Sequence, residues 1–396
     1  MMTGPEGPIR LVLFGHDDRR VTDDAVSDLV AFLEYHHDAA AFLAFFRRDL
    51  LDGVHEVGVK GLARASISHC RLSLVCLGGF VQRHGDALFI VIVGAGRVGA
   101  GMATLMAGHG CWVTIVGLDE EDLKRCRAIL EGNLEELVQQ GLATEQNRAA
   151  IRKRFILTTD PADLRDCVFV LEAAFENLEV KRGIYREVEE IVSPETLMAS
   201  TTSAISAELL TAEMRHPERF VVTHPFQPAH MLPLVELVGG PKTTPETIGR
   251  ARRLLEELDR EVVTLHKSVP GFIINRFAQA LFRESLYLVE QGVVSVEDVD
   301  KAIKYAVGMR YASIGLLEYF DDVGFNLECD IAKSVYPDLC GTRAIQQIVL
   351  DGIAAGKTGR SAGQGLYDWG KKDDADYLKR KAAPYYACFH WEMPED

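Results

Sequence analysis

Between about Leu88 and His266, short apolar runs alternate with segments of helical periodicity. The runs are apolar at nearly every position, which is typical of strands buried on both faces of a sheet. The predicted strands are Ile90–Val93, Val113–Val116, Phe155–Leu157, Val168–Leu171, Leu197–Ala199, Phe220–Thr223 and Leu234–Val238. The predicted helices are Glu120–Gln140, Val180–Val192, Ala207–Met214 and Glu246–Leu258. This alternation predicts an α/β fold with a doubly wound parallel sheet.

After Pro270 the pattern becomes helical. Apolar positions at helical spacing predict amphipathic helices over Phe272–Glu290 and Val296–Val307, followed by further helical segments to about Gly356. Ser295 precedes Asp298 by three residues, a spacing typical of a helix cap. This part of the chain is therefore predicted to be an all-helical C-terminal domain.

The first 87 residues are predicted to be a folded α/β appendage, because their apolar content is too high for a disordered tail. The predicted elements are a strand at Ile9–Phe14, a helix at Asp24–Leu51 and a strand at Leu72–Leu77. These elements do not indicate a function for the appendage. We divide the chain into this appendage (1–87), the doubly wound domain (88–269), the helical domain (270–370) and a charged, aromatic tail of unassigned order (371–396).

The composition limits the classes of partner that the protein is expected to bind. The 396 residues carry a formal net charge of −15, which argues against nucleic acid or an anionic membrane surface, since phosphate binding needs clustered Lys and Arg. No signal segment and no membrane-spanning apolar run is recognisable. The eight cysteines show no metal-ligand spacing, and Cys111, Cys167 and Cys329 are expected to be reduced, mostly buried thiols. A cytoplasmic protein without a metal site is expected.

The turn after the first strand has the sequence GAGRVG, and a helical stretch follows it. Strand, glycine-rich turn and helix together are the pattern of a dinucleotide-binding site, with the pyrophosphate at the helix N-terminus. The predicted cofactor contacts in this turn are Gly94, Ala95, Gly96, Arg97, Val98 and Gly99.

The residues at the end of the second strand indicate whether the cofactor is NAD or NADP. Gly117 stands where an acidic residue usually binds the ribose hydroxyls, and a glycine there leaves room for a 2′-phosphate. The four acidic residues 119–122 would repel that phosphate, and the nearest basic residues, Lys124 and Arg125, lie farther along the helix. We therefore predict NAD rather than NADP, with Asp119 as a substitute ribose contact.

A second set of candidate residues consists of His224, at the end of an apolar strand, and Glu236, in a neighbouring strand-like segment. A carboxylate at one imidazole nitrogen fixes the tautomer and stabilises the imidazolium that forms when the other nitrogen accepts a proton. Such a pair beside a nicotinamide is suited to the oxidation of an alcohol. A satisfied structural histidine is the alternative.

Two further segments carry polar side chains. Ser200-Thr-Thr-Ser203 ends a predicted strand, and its hydroxyls are placed either to hold a substrate oxygen or to cap the following helix. Asn275 lies near the start of the long helix and, on spacing alone, is an ordinary exposed asparagine.

From about Leu88 to Trp369 the chain resembles the 3-hydroxyacyl-CoA dehydrogenase family. The matching motifs, in chain order, are GAGRVGAG (94–101), Glu176-Asn-Leu with Lys181, Ser200–Ser203, His224-Pro-Phe-Gln-Pro, Leu234-Val-Glu-Leu and PGFIINR (270–276). The resemblance implies a Rossmann domain, NAD as the cofactor and a helical domain that forms a homodimer. Gly117 and the residues before Leu88 depart from the family pattern.

The resemblance also implies residue roles. His224 would be the general base and Glu236 its orienting partner. Ser203 and Asn275 would bond the reacting oxygen or hold the imidazole. The cofactor side would be contacted by Glu176, Lys181, Ser203 and Gln227, where Gln227 replaces the asparagine usual in the family.

Residues 308–318 are similar to the branch of the family that contains L-gulonate 3-dehydrogenase and lambda-crystallin. Related bacterial enzymes act on free hydroxy acids, pyridine carboxylates included. Arg310 is therefore a candidate clamp for a substrate carboxylate, because its planar guanidinium suits bidentate pairing. A structural ion pair is the equal alternative.

Three functions remain open from the sequence. The first is NAD-dependent oxidation of a small 3-hydroxy acid or related hydroxy carboxylate, which the lack of a lysine-rich surface for a CoA phosphate favours. The second is oxidation of a 3-hydroxyacyl thioester on CoA or a carrier protein. The third is a non-catalytic, crystallin-like NAD-binding protein.

Overall fold

The computed structural model describes residues 88–389 and 391–395. The strands and the helix predicted before Leu88 lie outside the described residues.

One eight-stranded sheet forms the centre of the fold. Its strands are β1 (Phe89–Val93), β2 (Trp112–Val116), β3 (Phe155–Thr158), β4 (Phe169–Glu172), β5 (Leu197–Ser200), β6 (Phe220–Pro225), β7 (Leu234–Gly239) and β8 (Glu261–Leu265). They lie in the order β3-β2-β1-β4-β5-β6-β7-β8, and every neighbouring pair is parallel except β6 and β7. The strand order reverses direction between β1 and β4, and ligands of doubly wound sheets bind at such a point.

Helices cover both faces of the sheet. They are α1 (Arg97–Gly108), α2 (Glu120–Gln139), α3 (Glu145–Arg152), α4 (Leu178–Ile191), α5 (Ala207–Thr211) and α6 (Pro245–Glu257). Successive residues of β1 enter different cores: Ile90 and Ile92 belong to one apolar cluster and Val91 to the other. This explains why the strands are continuously apolar, and it confirms the predicted doubly wound fold.

The sequence pattern ended several strands too early. We placed the ends of β4, β5 and β6 at Leu171, Ala199 and Thr223, whereas the structure continues them through Glu172, Ser200 and His224. All three polar side chains are buried. The antiparallel β6–β7 pair, strand β8 and helix α3 were also not predicted.

The C-terminal part is helical, as predicted. Its helices are α7 (Ile274–Glu290), α8 (Val296–Ala302), α9 (Met309–Tyr311), α10 (Leu316–Val323), α11 (Phe325–Val335), α12 (Gln347–Ala354) and α13 (Asp374–Ala387). A π-helical turn over Ile303–Gly308 joins α8 to α9. The Ser295 hydroxyl accepts the Asp298 N–H at 3.1 Å and so forms the predicted cap of α8.

The tail, whose order the sequence left unassigned, contains helix α13. The ring of Trp391 beyond α13 packs near Gly108 and lies 5.1 Å from the ring of His109. The aromatic side chains of the tail supply the apolar surface for this contact. One expectation about the thiols is corrected: Cys111 and Cys167 are buried, but Cys329 is exposed. None of the helices that the structure describes is long and apolar enough to cross a membrane.

The connection between β6 and β7 encloses a second histidine. His230 is 4% exposed, and its Nε2 atom has no hydrogen-bond partner among the described residues. Burial, reinforced by the nearby charge of Arg260, lowers the pKa of His230 to about 4. The folded protein therefore holds this imidazole neutral.

This histidine predicts a loss of stability in acid. As the pH falls from 6.5 towards 4, the unfolded chain binds a proton that the folded chain does not, so the free energy of unfolding decreases with falling pH. We expect this one group to remove about 2 kcal/mol between pH 7 and pH 4.5, measured by urea denaturation.

The His230→Leu variant should lose that part of the pH dependence, because it has no proton to bind. His266→Gln, at an exposed position, is the matched control and should retain it. Equal pH dependence in His230→Leu and the unsubstituted protein would contradict this assignment.

Candidate active site

The glycine-rich turn between β1 and α1 fits a dinucleotide. Gly94 has a φ of 121°, and a Cβ atom there would lie 2.5 Å from the carbonyl of Ala173. A Cβ at Gly99 would lie 2.0 Å from the Gly94 oxygen, so both positions require glycine. Gly96 by contrast borders open space, at the N-terminus of α1, which no side chain caps. The free N–H groups of that first turn are suited to a pyrophosphate.

The ribose end of this site is built differently from the usual pattern. Gly117 is buried, and a Cβ atom there would lie 2.5 Å from Cδ2 of Leu123. Leu123 therefore occupies space that a side chain at 117 would need. Asp119 is exposed and caps α2, since its Oδ1 accepts the Asp122 N–H at 2.7 Å.

His224 and Glu236 lie directly opposite each other on the antiparallel strands β6 and β7. The Nδ1 atom of His224 is 2.8 Å from Oε2 of Glu236, and the two residues are 5% and 1% exposed. A carboxylate accepts hydrogen bonds, so this contact favours the tautomer that carries its proton on Nδ1 and its lone pair on Nε2. The pair is thus arranged to accept a proton at Nε2.

Glu236 also connects the sheet to the helical domain. Its second oxygen accepts the backbone N–H groups of Ile273 at 2.7 Å and Ile274 at 3.0 Å, at the start of α7. The preceding residue, Phe272, is buried at a φ of 46°, and its ring centroid lies 5.3 Å from that of His224. One carboxylate therefore fixes both the imidazole and the beginning of the helical domain.

The structure brings Ser203 to the imidazole as well. Its hydroxyl is 3.0 Å from Nε2 of His224. The alternative, a cap for the following helix, is wrong, because α5 is capped by Ser206. The first hydroxyl-bearing position of this segment, Ser200, is instead buried within β5.

Glu176 holds the segment that carries Ser203. Its Oε1 accepts the N–H groups of Ser203 and Ala204, each at 3.0 Å, and the Thr202 hydroxyl at 2.6 Å. Burial raises the pKa of Glu176, but the Thr202 hydrogen bond, the charge of Lys181 and the two N–H groups together bring it below its ordinary value. Glu176 is therefore an anion that orders this loop.

Lys181 lies beneath Glu176. Its side chain is 1% exposed, and its Nζ is 2.7 Å from Glu172 and 3.4 Å from Glu176. Since this ammonium group is enclosed by protein, we correct our expectation of a direct cofactor contact. Lys181 instead forms ion pairs with Glu172 and Glu176.

Three of the predicted site residues form no hydrogen bond with the residues around His224. Asn275 lies in the first turn of α7, next to the two N–H groups that Glu236 accepts, and Gln227 follows β6 at an exposed position. Neither side chain forms a hydrogen bond with a described residue. Arg310 forms no ion pair with a described carboxylate, and its guanidinium lies 4.4 Å from the ring centroid of Tyr319.

Sequence reasoning missed Glu172 and Tyr185. Glu172 is a buried carboxylate at the end of β4, and it accepts the Tyr185 hydroxyl at 2.8 Å. An acidic residue directly after an apolar strand was the available signal for Glu172. No pattern in the sequence distinguishes Tyr185 from an ordinary aromatic residue.

The fold and this site define an NAD-dependent dehydrogenase of the Rossmann class, and comparison with known proteins gives the family. Residues 89–269 match the family described as "3-hydroxyacyl-CoA dehydrogenase, NAD binding domain", and residues 271–369 match its C-terminal domain. The chain belongs to the 3-hydroxyacyl-CoA dehydrogenase family. Its cofactor is NAD, and it is an oxidoreductase that acts on CH–OH groups. The non-catalytic alternative is therefore set aside.

Individual relatives act on different substrates. The chain is 32% identical over 282 residues to 5-formyl-3-hydroxy-2-methylpyridine 4-carboxylate 5-dehydrogenase of Mesorhizobium japonicum, covering 70% of this chain and 89% of that protein. It is 34% identical over 237 residues to L-carnitine dehydrogenase of Oceanobacillus iheyensis, covering 60% of this chain and 76% of that protein. A crystal structure of the pyridine carboxylate 5-dehydrogenase superimposes with a TM-score of 0.68 at 29% identity, covering 76% of this chain and 97% of the other.

Proposed function

We propose that this protein oxidises the hydroxyl group of a small 3-hydroxy acid, or a related hydroxy carboxylate, with His224 as the general base. The observation that carries the proposal is the imidazole held between two side chains. Glu236 lies 2.8 Å from Nδ1 and Ser203 lies 3.0 Å from Nε2, at the edge of the sheet where β6 ends.

Each side chain has a defined part in the reaction. Nε2 of His224 takes the hydroxyl proton of the substrate, and Glu236 stabilises the imidazolium that results. The Ser203 hydroxyl, together with Asn275, holds the reacting oxygen against the imidazole. Bound NAD would supply the hydride acceptor for the carbon that bears this hydroxyl group.

The glycine-rich turn, residues 94–99, would hold the cofactor. The N–H groups at the start of α1 would bind its pyrophosphate, and Asp119 would bind the adenosine ribose while it caps α2. Glu176, supported by Lys181, and Gln227 would complete the nicotinamide side. The compartment we propose is the cytoplasm, where buried thiols such as Cys111 stay reduced.

Replacement of His224 tests the mechanism. His224→Asn keeps a polar side chain of similar width but cannot accept the proton, so we expect kcat to fall by about 10³-fold while NADH binding is retained. The measurement is NADH formation at 340 nm with the substrate found in a screen of hydroxy acids. Unchanged turnover by His224→Asn would exclude this base.

Arg310 bears on whether the substrate is a free acid or a thioester. Its guanidinium is stacked on Tyr319 without a described carboxylate partner, so the donors of its planar edge are available to an anion. The pyridine carboxylate and carnitine relatives act on free acids, which favours this candidate. The family name itself favours the second candidate, a 3-hydroxyacyl thioester on CoA or a carrier protein.

A paired assay of 3-hydroxybutyrate and 3-hydroxybutyryl-CoA, within the wider panel, distinguishes these candidates. For a free acid, Arg310→Gln should raise KM by about 10- to 100-fold with little change in kcat, because a charge-assisted bond worth ~1.5–3 kcal/mol is lost. Arg343→Gln, at an exposed position of the same domain, is the control. Turnover of the thioester alone, with KM unchanged in Arg310→Gln, would favour the second candidate.

We further propose a homodimer formed by the helical domain. Large apolar side chains remain exposed there, among them Phe277, Leu281, Leu317, Phe325 and Ile331. Exposed apolar area of this kind is typical of a surface that a second copy covers.

Light scattering coupled to gel filtration should give twice the chain mass of 43.8 kDa. The double substitution Leu281→Lys with Phe277→Lys should shift the measured mass to that of the monomer. A monomer without these substitutions would contradict the proposal.

A further inference from the structure

The carboxylate of Glu172 is, like that of Glu236, an enclosed acidic group near the site. It lies at the end of β4 and is 1% exposed. Oε1 accepts the Lys181 ammonium and the Ala174 N–H, each at 2.7 Å, and Oε2 accepts the Tyr185 hydroxyl at 2.8 Å and the Ser200 hydroxyl at 2.7 Å. Both oxygens are therefore fully occupied by protein donors, and no substrate atom reaches them.

Three of these donors belong to segments that position the site. The N–H of Ala174 fixes the backbone just after β4, and the neighbouring Ala173 is the surface against which Gly94 of the cofactor turn packs. The Ser200 hydroxyl also accepts the N–H of Thr202, one residue before Ser203. Glu172 is therefore bonded both to the backbone beside the glycine-rich turn and to the segment that carries Ser203.

The third donor, Lys181, extends the same arrangement to Glu176. Its ammonium group lies between the two carboxylates, at 2.7 Å from Glu172 and 3.4 Å from Glu176. Glu176 in turn accepts the N–H of Ser203, whose hydroxyl is 3.0 Å from Nε2 of His224. The series from the buried carboxylate to the imidazole consists of hydrogen bonds and one ion pair, the contact between Lys181 and Glu176.

We infer that Glu172 is a positioning residue for the reaction: it sets the place of the Ser203 hydroxyl relative to His224 and the place of the cofactor turn relative to both. The inference rests on the proposed role of His224. Glu172 touches neither substrate nor cofactor, so its effect is on the alignment of the reacting groups. Small misalignments are costly, since a displacement of about 1 Å can reduce the rate by about 10²-fold.

Glu189 provides a matched control on the same helix, α4, as Lys181 and Tyr185. Its side chain is 1% exposed, and it accepts the backbone N–H groups of Arg215 at 2.9 Å and His216 at 2.8 Å, with Arg219 nearby. It is a buried, bonded carboxylate like Glu172, but none of its bonds leads to Ser203 or the glycine turn. A merely structural role predicts the same consequences for both residues.

The experiment compares Glu172→Gln with Glu189→Gln in the full chain. In each variant an amide NH₂ replaces an oxygen that accepts a hydrogen bond, so both should lose Tm by similar amounts. We expect Glu172→Gln to lower kcat by about 100-fold and to weaken NADH binding, measured by fluorescence titration. Glu189→Gln should keep both values within about twofold.

A second variant keeps the test decisive if Glu172→Gln does not fold. Ser200→Ala removes only the hydroxyl that joins Glu172 to Thr202, and we expect kcat to fall by about 10-fold. Its control is Thr211→Ala, which removes another buried hydroxyl, one that bonds only within α5. The double variant Glu172→Gln/Lys181→Met should recover Tm, because it removes both buried charges, but should not recover kcat.

Two results would overturn the inference: kcat within about twofold in both Glu172→Gln and Ser200→Ala, or recovery of kcat together with Tm in the double variant. His224→Asn separates this failure from failure of the proposed function. If His224→Asn abolishes turnover while the Glu172 variants retain it, only the positioning role is wrong. If His224→Asn retains turnover, the proposed base is wrong whatever Glu172 does.

Discussion

The contact between Nδ1 of His224 and the Glu236 carboxylate is the interaction on which the site depends. It exists because β6 and β7 are antiparallel and place the two residues opposite each other, in a sheet that is otherwise parallel. In this enclosed position the hydrogen bond between them is electrostatically stronger than it would be in water. The remaining oxygen accepts N–H groups at the start of α7, so the orientation of the imidazole and the junction to the helical domain are set together.

A second buried carboxylate, Glu172, lies at the end of β4. It is bonded to the segment that leads to Ser203 and to the backbone against which the glycine-rich turn packs. Buried ionised groups are costly unless they are hydrogen-bonded, and each oxygen of Glu172 accepts two donors. The two buried carboxylates, Glu236 and Glu172, thus tie together the segments that form the candidate site.

Much of the fold could be predicted from the sequence because it depends on local patterns of apolar residues and glycines. Continuous apolar strands separated by amphipathic helices require a sheet covered on both faces, and Gly94 and Gly99 stand where a Cβ atom does not fit. The strand ends were misjudged for a related reason. A polar residue at the end of a buried strand, such as Glu172, looks like the beginning of a loop until its hydrogen-bond partners are known.

The sequence by itself determined the doubly wound domain, the helical domain, the dinucleotide turn and the candidate pair His224 and Glu236, since spacing and residue type carry that information. Only the tertiary structure decided that Ser203 bonds the imidazole while Ser206 caps the helix, that Lys181 is enclosed, and that Leu123 fills the space beside Gly117. These outcomes depend on contacts between residues far apart in the chain. Such contacts follow from the packing of strands and helices, which the local pattern does not specify.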